Sequence, residues 1–314
     1  MRRGAMKIAV MGTGGTGGYF GGLLARAGED VTFIARGPHL DAILKNGLTV
    51  KSVLAGDFTL PVKATADPAG VGPVGFVLFC VKAYDNTVAI DRIRPLVGPE
   101  TTVLSVQNGI DNEEEIGRAV GPGHVAGCVS YISSTIASPG VIAHTAGPGK
   151  IVLGEMEGGT SRRTESFQRT LQNSGIPAEL HQDIRVALWQ KFMEICAVNG
   201  MTALTRLPMG EIVACKETRS MLTGAMEEVE AIARARGINL AEGCVERSMD
   251  FFAGLSPLMR GSMYYDLAGG RRMELDILNG AVLRLGRQEG IPTPINFSIY
   301  AALKPYIDGR PSLP

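Results

Sequence analysis

The sequence predicts an α/β domain on a mostly parallel sheet, followed by an all-α domain. Three observations predict this. Short apolar runs alternate with helical patterns through the first half, which implies βαβ units. Beyond Gln182 helical periodicity dominates and strand-like runs nearly vanish. The 314 residues also suit two domains at ~150 residues each. The boundary is placed near 180, giving 1–180 and 181–314.

Each element rests on its own pattern. An apolar run at 7–11 reads as the first strand, with a helix over 19–27 after a glycine cluster. A second strand follows at 31–35 and a helix at about 40–45. Residues 76–80 form a buried-strand run, followed by a helix over about 86–96 and a strand at 103–106. Runs at 125–132, 141–144 and 151–153 read as an antiparallel extension of the sheet. A helix over 162–173 and a strand at 178–180 complete the unit. The second domain carries helical patterns at 186–198, 220–236, 241–252 and 275–288. Residues 1–5 read as a non-structural leader and 309–314 as a frayed tail.

Composition excludes several classes. Lys+Arg and Asp+Glu are both 31 and the net charge is zero, which argues against a nucleic-acid binder and a polybasic membrane tether. The five cysteines are an odd number at wide spacings without C-x-x-C. No disulfide framework or metal site is expected; free thiols in a reducing compartment fit. The uncharged stretch 119–149 is broken by Pro122, Pro139 and Pro148 and is not a membrane helix. Arg2 and Arg3 precede glycines rather than a signal-peptide apolar core. A cytoplasmic protein is expected.

Gly12-Thr13-Gly14-Gly15-Thr16-Gly17 matches G-x-G-x-x-G directly after a strand and opening a helix. Gly12 allows the tight turn, Gly14 lets backbone approach a pyrophosphate, and Gly17 lets helix pack on strand. The phosphates then meet a helix N-terminus, where free N–H groups favour anions. This strand–turn–helix context predicts a Rossmann-type dinucleotide domain. NAD enzymes usually place Asp or Glu at the end of the second strand. Here that strand ends in Arg36, whose planar fork suits a 2′-phosphate. NADP is the expected cofactor; the other reading of Arg36 is a solvated surface cation.

Further motifs follow in order: Val81-Lys82-Ala83, Gln107-Asn108-Gly109, His144 before a glycine-rich turn, and Leu153-Gly-Glu155. Trp189-Gln-Lys191, Leu204-Thr-Arg206, Gly210-Glu211, Ser262-Met-Tyr-Tyr-Asp266 and Glu274 come next. Over nearly the whole chain this set resembles the ketopantoate reductases (2-dehydropantoate 2-reductases). The resemblance implies NADPH-dependent reduction of a 2-keto acid to a 2-hydroxy acid, as in pantothenate biosynthesis. It implies a site between a Rossmann-type domain and a helical domain, with Lys82 and Asn108 near the nucleotide and Ser133 a weaker cofactor contact.

Hydride reduction of a ketone leaves charge on oxygen, so the site needs a proton donor. Lys191 is the first choice. It shares a helix face with Asn199, eight residues on, with Ile195 between. Without the resemblance, a helical lysine reads as a solvated charge, and Glu194 is available to pair with it. Asn108 is expected to position the substrate carbonyl or the nicotinamide carboxamide, although Asn-Gly is also plain turn chemistry. Ser262 and Asp266, at i and i+4, share a helix face. Ser262 is expected to bind the substrate carboxylate, and Asp266 either supports that region or is a surface charge. Glu274 is expected to contact the cofactor or hold Lys191 or the substrate hydroxyl; its other reading is a surface ion pair.

Two positions depart from the family pattern. Ile195 and Met209 stand where the family commonly has substrate-contacting asparagines. Losing two amides weakens the case for ketopantoate, which the resemblance still implies as the first reading, and leaves a more apolar 2-keto acid as the alternative. Two rivals stay open: another NADP-dependent dehydrogenase type, such as the 3-hydroxyacid or opine dehydrogenases, and a non-catalytic NADP-binding sensor. The partner is a small-molecule 2-keto acid, with no nucleic acid and no membrane, and the helical domain offers a surface for a homodimer.

Overall fold

The structure is a computed structural model that describes residues 5–309. Residues 1–4 of the expected leader and 310–314 of the expected tail lie outside the described residues. The chain divides into two compact units. The first holds residues up to 187 except 108–110; the second holds 188 onward together with Asn108–Ile110. The sequence puts the change of texture at 180. The units part instead within a helix that starts at Ile184.

The first unit runs β1 (Lys7–Met11), α1 (Gly15–Arg26), β2 (Asp30–Ile34), α2 (Gly37–Asn46), β3 (Leu48–Ser52), β4 (Phe58–Leu60) and β5 (Lys63–Thr65). It continues with β6 (Phe76–Phe79), α3 (Asn86–Ile93), β7 (Thr102–Ser105), α4 (Asn112–Val120), β8 (Val125–Ser138), β9 (Val141–Glu155), α5 (Arg162–Asn173) and β10 (Ala178–Leu180). All ten strands belong to one sheet. Strands β5-β2-β1-β6-β7-β8 lie side by side and parallel, the 3-2-1-4-5-6 order of dinucleotide domains. β9 returns antiparallel to β8, β3 joins β9 in parallel, and β4 closes the edge antiparallel to β3.

The β1 residues are apolar without alternation because both faces of the strand are covered. Ile8 and Val10 enter one core with Phe20, Phe33 and Leu78; Ala9 and Met11 enter the other with Val77, Phe79 and Ile93. Helix α1 is packed from two sides. Gly21 lies against Phe33 and Val10 of the parallel strands, while Gly18 and Gly22 lie against Ile142 of β9 and Val50 of β3. A Cβ on Gly18 or Gly21 would come within 2.6 Å of those side chains.

The sequence pattern splits 141–155 into two strands, but the structure has one, with register shifts against β8. Gly147 and Gly149 hold positive φ inside it and break the apolar pattern. Tyr19 of α1 fills the space beside Gly149. His144 fixes the same stretch. Its Nε2 donates to the Gly147 carbonyl at 3.1 Å, which leaves Nδ1 to accept from Ser52 Oγ at 2.9 Å. Likewise Glu155 is used in the scaffold, taking Arg163 Nε at 2.9 Å.

The second unit is built of α6 (Ile184–Thr205, begun in the first unit), α7 (Met209–Ala214), α8 (Lys216–Ala235), α9 (Cys244–Ala253), α10 (Ser262–Ala268), α11 (Asn279–Glu289) and α12 (Pro294–Leu303). From Cys196 to Ala203 every residue of α6 is buried, as expected of a helix enclosed on all sides. Glu228 of α8 accepts from the Ile295 and Asn296 N–H groups at 2.7 and 2.9 Å, satisfying the orphan donors that open α12. Among the described residues no helix is long and apolar enough to cross a membrane.

Candidate active site

The glycine turn is set by close backbone approach. Gly12 has φ +98° and a Cβ there would sit 2.8 Å from Val81 N, so only glycine fits. The N–H groups of Gly12 and Thr13 donate to the Ile34 carbonyl at 3.3 and 3.2 Å, and Thr13 Oγ donates to the same oxygen at 3.0 Å. The buried Thr13 side chain therefore ties the turn to β2. A Cβ on Gly17 would collide with the Gly12 carbonyl, and one on Gly15 with the Ser134 carbonyl of β8. At Gly14 a Cβ would meet nothing.

The first turn of α1 has no side-chain cap and no acidic residue. Its first N–H groups have no acceptor within the helix, and its dipole favours an anion there. Open space beside Gly14 and free donors on Gly15, Thr16 and Gly17 fit a pyrophosphate. Ser134, whose carbonyl abuts Gly15, also has a hydroxyl that is buried without a partner. The Ser133 hydroxyl instead faces Thr145 across the hairpin at 3.3 Å.

The other cofactor candidates stand at the carboxyl ends of neighbouring strands, where open α/β sheets bind ligands. Arg36 follows β2 and is 82% exposed, with Nη2 3.0 Å from Asp85 Oδ2. Lys82 follows β6 and is half-buried, and Asn108 follows β7. A buried amide network joins these last two loops. Gln107 Nε2 donates to the Val81 carbonyl at 2.8 Å and to Asn86 Oδ1 at 2.7 Å, while Ser105 Oγ donates to Gln107 Oε1 at 3.1 Å. Asn86 Nδ2 in turn reaches Asn112 Oδ1 at 3.0 Å and Glu115 Oε2 at 2.7 Å. The residues just before Lys82 and Asn108 are thus bonded to one another.

Glu113, in the first turn of α4, is 5% exposed and its Oε2 has no partner. Burial pushes its pKa up to about 8, against the pull of its own backbone N–H and with the Asp111 charge adding to the rise. The unfolded carboxyl titrates near ~4.3, so between these values the folded state binds more protons. Stability then falls as pH rises through that window. Glu113→Gln should flatten this fall: thermal melts at pH 6 and 8.5 should separate more for the wild type than for the variant. Equal separations would refute the buried-proton assignment.

In the second unit, Lys191 and Ile195 are half-buried on one face of α6, one turn apart. Glu194 Oε1 accepts from Gln190 at 2.9 Å and Ser248 at 3.0 Å. Asn199 is 4% exposed. Its Oδ1 accepts from Ser262 Oγ and the Met263 N–H, both at 3.1 Å, and its Nδ2 donates to the Ile195 carbonyl at 2.9 Å. Gly261 permits this approach, since a Cβ there would lie 2.8 Å from Asn199 Cα. The structure therefore brings Asn199 and Ser262 together, with the serine exposed and the amide behind it.

Asp266 is buried on the same short helix and bonded to Arg271 Nε at 3.0 Å, so it is not a free surface charge. Glu274 is 3% exposed, which overturns its reading as a surface ion pair; a carboxylate is buried only with compensation. Met209 is 1% exposed and bonds the Met259 carbonyl through its N–H at 2.9 Å. It is a core residue, so of the two departures from the asparagine pattern only Ile195 lies on a partly open face.

Sequence reasoning gave no role to Gln107, which it met only as part of a motif, and passed over Asn86, Glu113, Ser134 and Asp85. Gln107 carries the one usable signal, a polar residue directly between a buried strand and Asn108. Asn86, Glu113 and Asp85 sit among ordinary helix-start residues, and Ser134 lies within the long strand β8.

The family model described as "Ketopantoate reductase PanE/ApbA" matches residues 8–158, and the one described as "Ketopantoate reductase PanE/ApbA C terminal" matches 183–307. A 2-dehydropantoate 2-reductase of Mesorhizobium japonicum is 33% identical, the match covering 95% of this chain and 97% of that protein. The crystal structure of 2-dehydropantoate 2-reductase from Geobacter metallireducens superposes with a TM-score of 0.89 at 34% identity, covering 95% of this chain and 99% of that one. A D-mandelate dehydrogenase solved with NADH and anilino(oxo)acetate shares the fold at 22% identity, with a TM-score of 0.87 and 96% and 98% coverage. Two family models spanning most of the chain, and relatives similar over nearly their full length, place it in the ketopantoate reductase family of oxidoreductases.

Proposed function

We propose that the chain reduces the keto group of a 2-keto acid with NADPH, and that ketopantoate is its substrate. The observation that carries this is the family match over both units, joined to a glycine turn shaped for a pyrophosphate. NADPH supplies a hydride to the keto carbon. The chain's own residues do the rest. Gly15, Thr16 and Gly17 offer backbone donors to the phosphates, Gly12, Thr13 and Gly14 shape the turn that presents them, and Arg36 grips the 2′-phosphate. Lys82, Ser133, Ser134 and Glu274 are assigned to the cofactor's surroundings, and Asn108 to its carboxamide or the substrate carbonyl.

Lys191 gives the proton. As C2 accepts the hydride, its oxygen gains the electron pair of the carbonyl π bond and takes a proton from the Lys191 ammonium. The lysine recovers that proton from solvent, and the product is the 2-hydroxy acid. Ser262 binds the substrate carboxylate. Its hydroxyl donates to Asn199 in the free enzyme, so it must rotate to donate to the carboxylate. Asn199 Oδ1 keeps the Met263 N–H when it does. Asp266, through Arg271, holds the helix that carries Ser262.

One observation favours a second substrate reading. Ile195 presents an apolar side chain one turn from Lys191, which suits a more apolar 2-keto acid. Loss of NADPH absorbance with ketopantoate, pyruvate, 2-ketoisovalerate and 2-ketoisocaproate tests both. Preferred turnover of ketopantoate is the expected result. Preference for an apolar keto acid assigns the pocket to Ile195. Tight NADPH binding without turnover on any of them sinks the reductase reading and favours a sensor.

A further inference from the structure

Asp85 ends a 3-10 turn over Ala83–Asp85 that runs straight into α3, so the Asn86 N–H already donates to the Ala83 carbonyl. The Asp85 side chain makes no cap bond. Its carboxylate meets Arg36 Nη2 at 3.0 Å. The two residues follow β6 and β2, which are the two hydrogen-bonded neighbours of β1. The pair therefore straddles the carboxyl end of β1, beside the glycine turn. Both side chains reach solvent, so the bond is weak and exchangeable.

The geometry points to Asp85 as the residue that sets cofactor discrimination: a resident competitor for the guanidinium that an adenosine 2′-phosphate requires. This rests on the NADPH reading above. Asp85 holds one edge of the guanidinium, so a 2′-phosphate that takes Arg36 either displaces the carboxylate or lies beside its charge. A ribose 2′-hydroxyl carries no charge and meets neither cost. Asp85 thus lowers affinity for NADPH while leaving NADH nearly untouched, and it narrows the preference that Arg36 alone would give.

Fluorescence titration of NADPH and NADH tests this in wild type, Asp85→Asn, Asp85→Ala and Arg36→Ala. Both Asp85 variants should bind NADPH about three- to fivefold more tightly at low salt, the scale of an exposed ion pair. NADH affinity should stay within about twofold, and the gain should shrink in ~0.5 M KCl as charges are screened. Unchanged NADPH affinity, or equal tightening of both dinucleotides, overturns the inference while Arg36→Ala still weakens NADPH. If Arg36→Ala binds NADPH as well as wild type does, the 2′-phosphate reading itself fails, and this inference with it.

Discussion

Lys191→Ala should lower kcat about 100- to 10,000-fold, the usual contribution of a positioned proton donor, and leave the Kd for NADPH within about twofold. The separation follows from the roles assigned to the groups. The backbone donors assigned to the phosphates open α1, whereas Lys191, on α6, is assigned to the substrate oxygen. Removing the ammonium takes away an interaction that develops with charge on the substrate oxygen, so the loss falls on the transition state. Steady-state kinetics with a parallel NADPH titration measure both quantities. Near-normal turnover would remove Lys191 from the chemistry, and a matched loss in cofactor affinity would make it a structural lysine.

The second large effect separates two glycines three residues apart. Gly17→Ala should destabilise the protein by roughly 1–3 kcal/mol through overpacking, because the new methyl collides with the Gly12 carbonyl and lies 2.9 Å from Val10 Cγ1. Nucleotide binding should fail with it, since the same carbonyl belongs to the turn. Gly14→Ala should leave the melting temperature unchanged or slightly raised, because its backbone is extended and its methyl meets nothing, and replacing glycine restricts the unfolded chain. Yet that methyl occupies the space assigned to the pyrophosphate, so NADPH affinity should drop by an order of magnitude or more. A stable Gly14→Ala protein with wild-type affinity would show that the phosphates do not lie there.

These contrasts also mark what the sequence could and could not show. Gly12, Gly14 and Gly17 were legible because each answers a demand that no other residue meets: a positive φ, an open approach, a helix pressed onto a strand. The fold class was legible from β1 and β6, whose apolar runs are continuous because both faces are buried. β3, β4 and β5 were not. They are three to five residues long, with polar residues such as Lys51 and Thr59 on exposed positions, and β3 and β5 join the sheet through β9 and β2, which are remote in the chain. On the site side, position along a strand pointed to Arg36, but nothing local showed that Asp85, 49 residues on, meets it. Met209 looked like a lost substrate contact because sequence position cannot tell a lining residue from a packed one. The Gln107–Asn86 bond joins loops about twenty residues apart and has no periodic signature at all.

The two-sided packing of α1 bears on how this protein reaches its native state. Five of its twelve residues are glycine, and each costs about 1 kcal/mol against alanine in a helix. Alone, this segment has little reason to coil. It becomes a helix when Val10 and Phe33 stand on one side and Val50 and Ile142 on the other, and β3 meets β9 only after some ninety residues of intervening chain are arranged. The terminus assigned to a dinucleotide therefore depends on the pairing in the sheet that spans the most chain. A nascent chain that has made only β1, α1 and β2 has the motif without the receptor, and free dinucleotide stabilises only chains whose sheet has already closed.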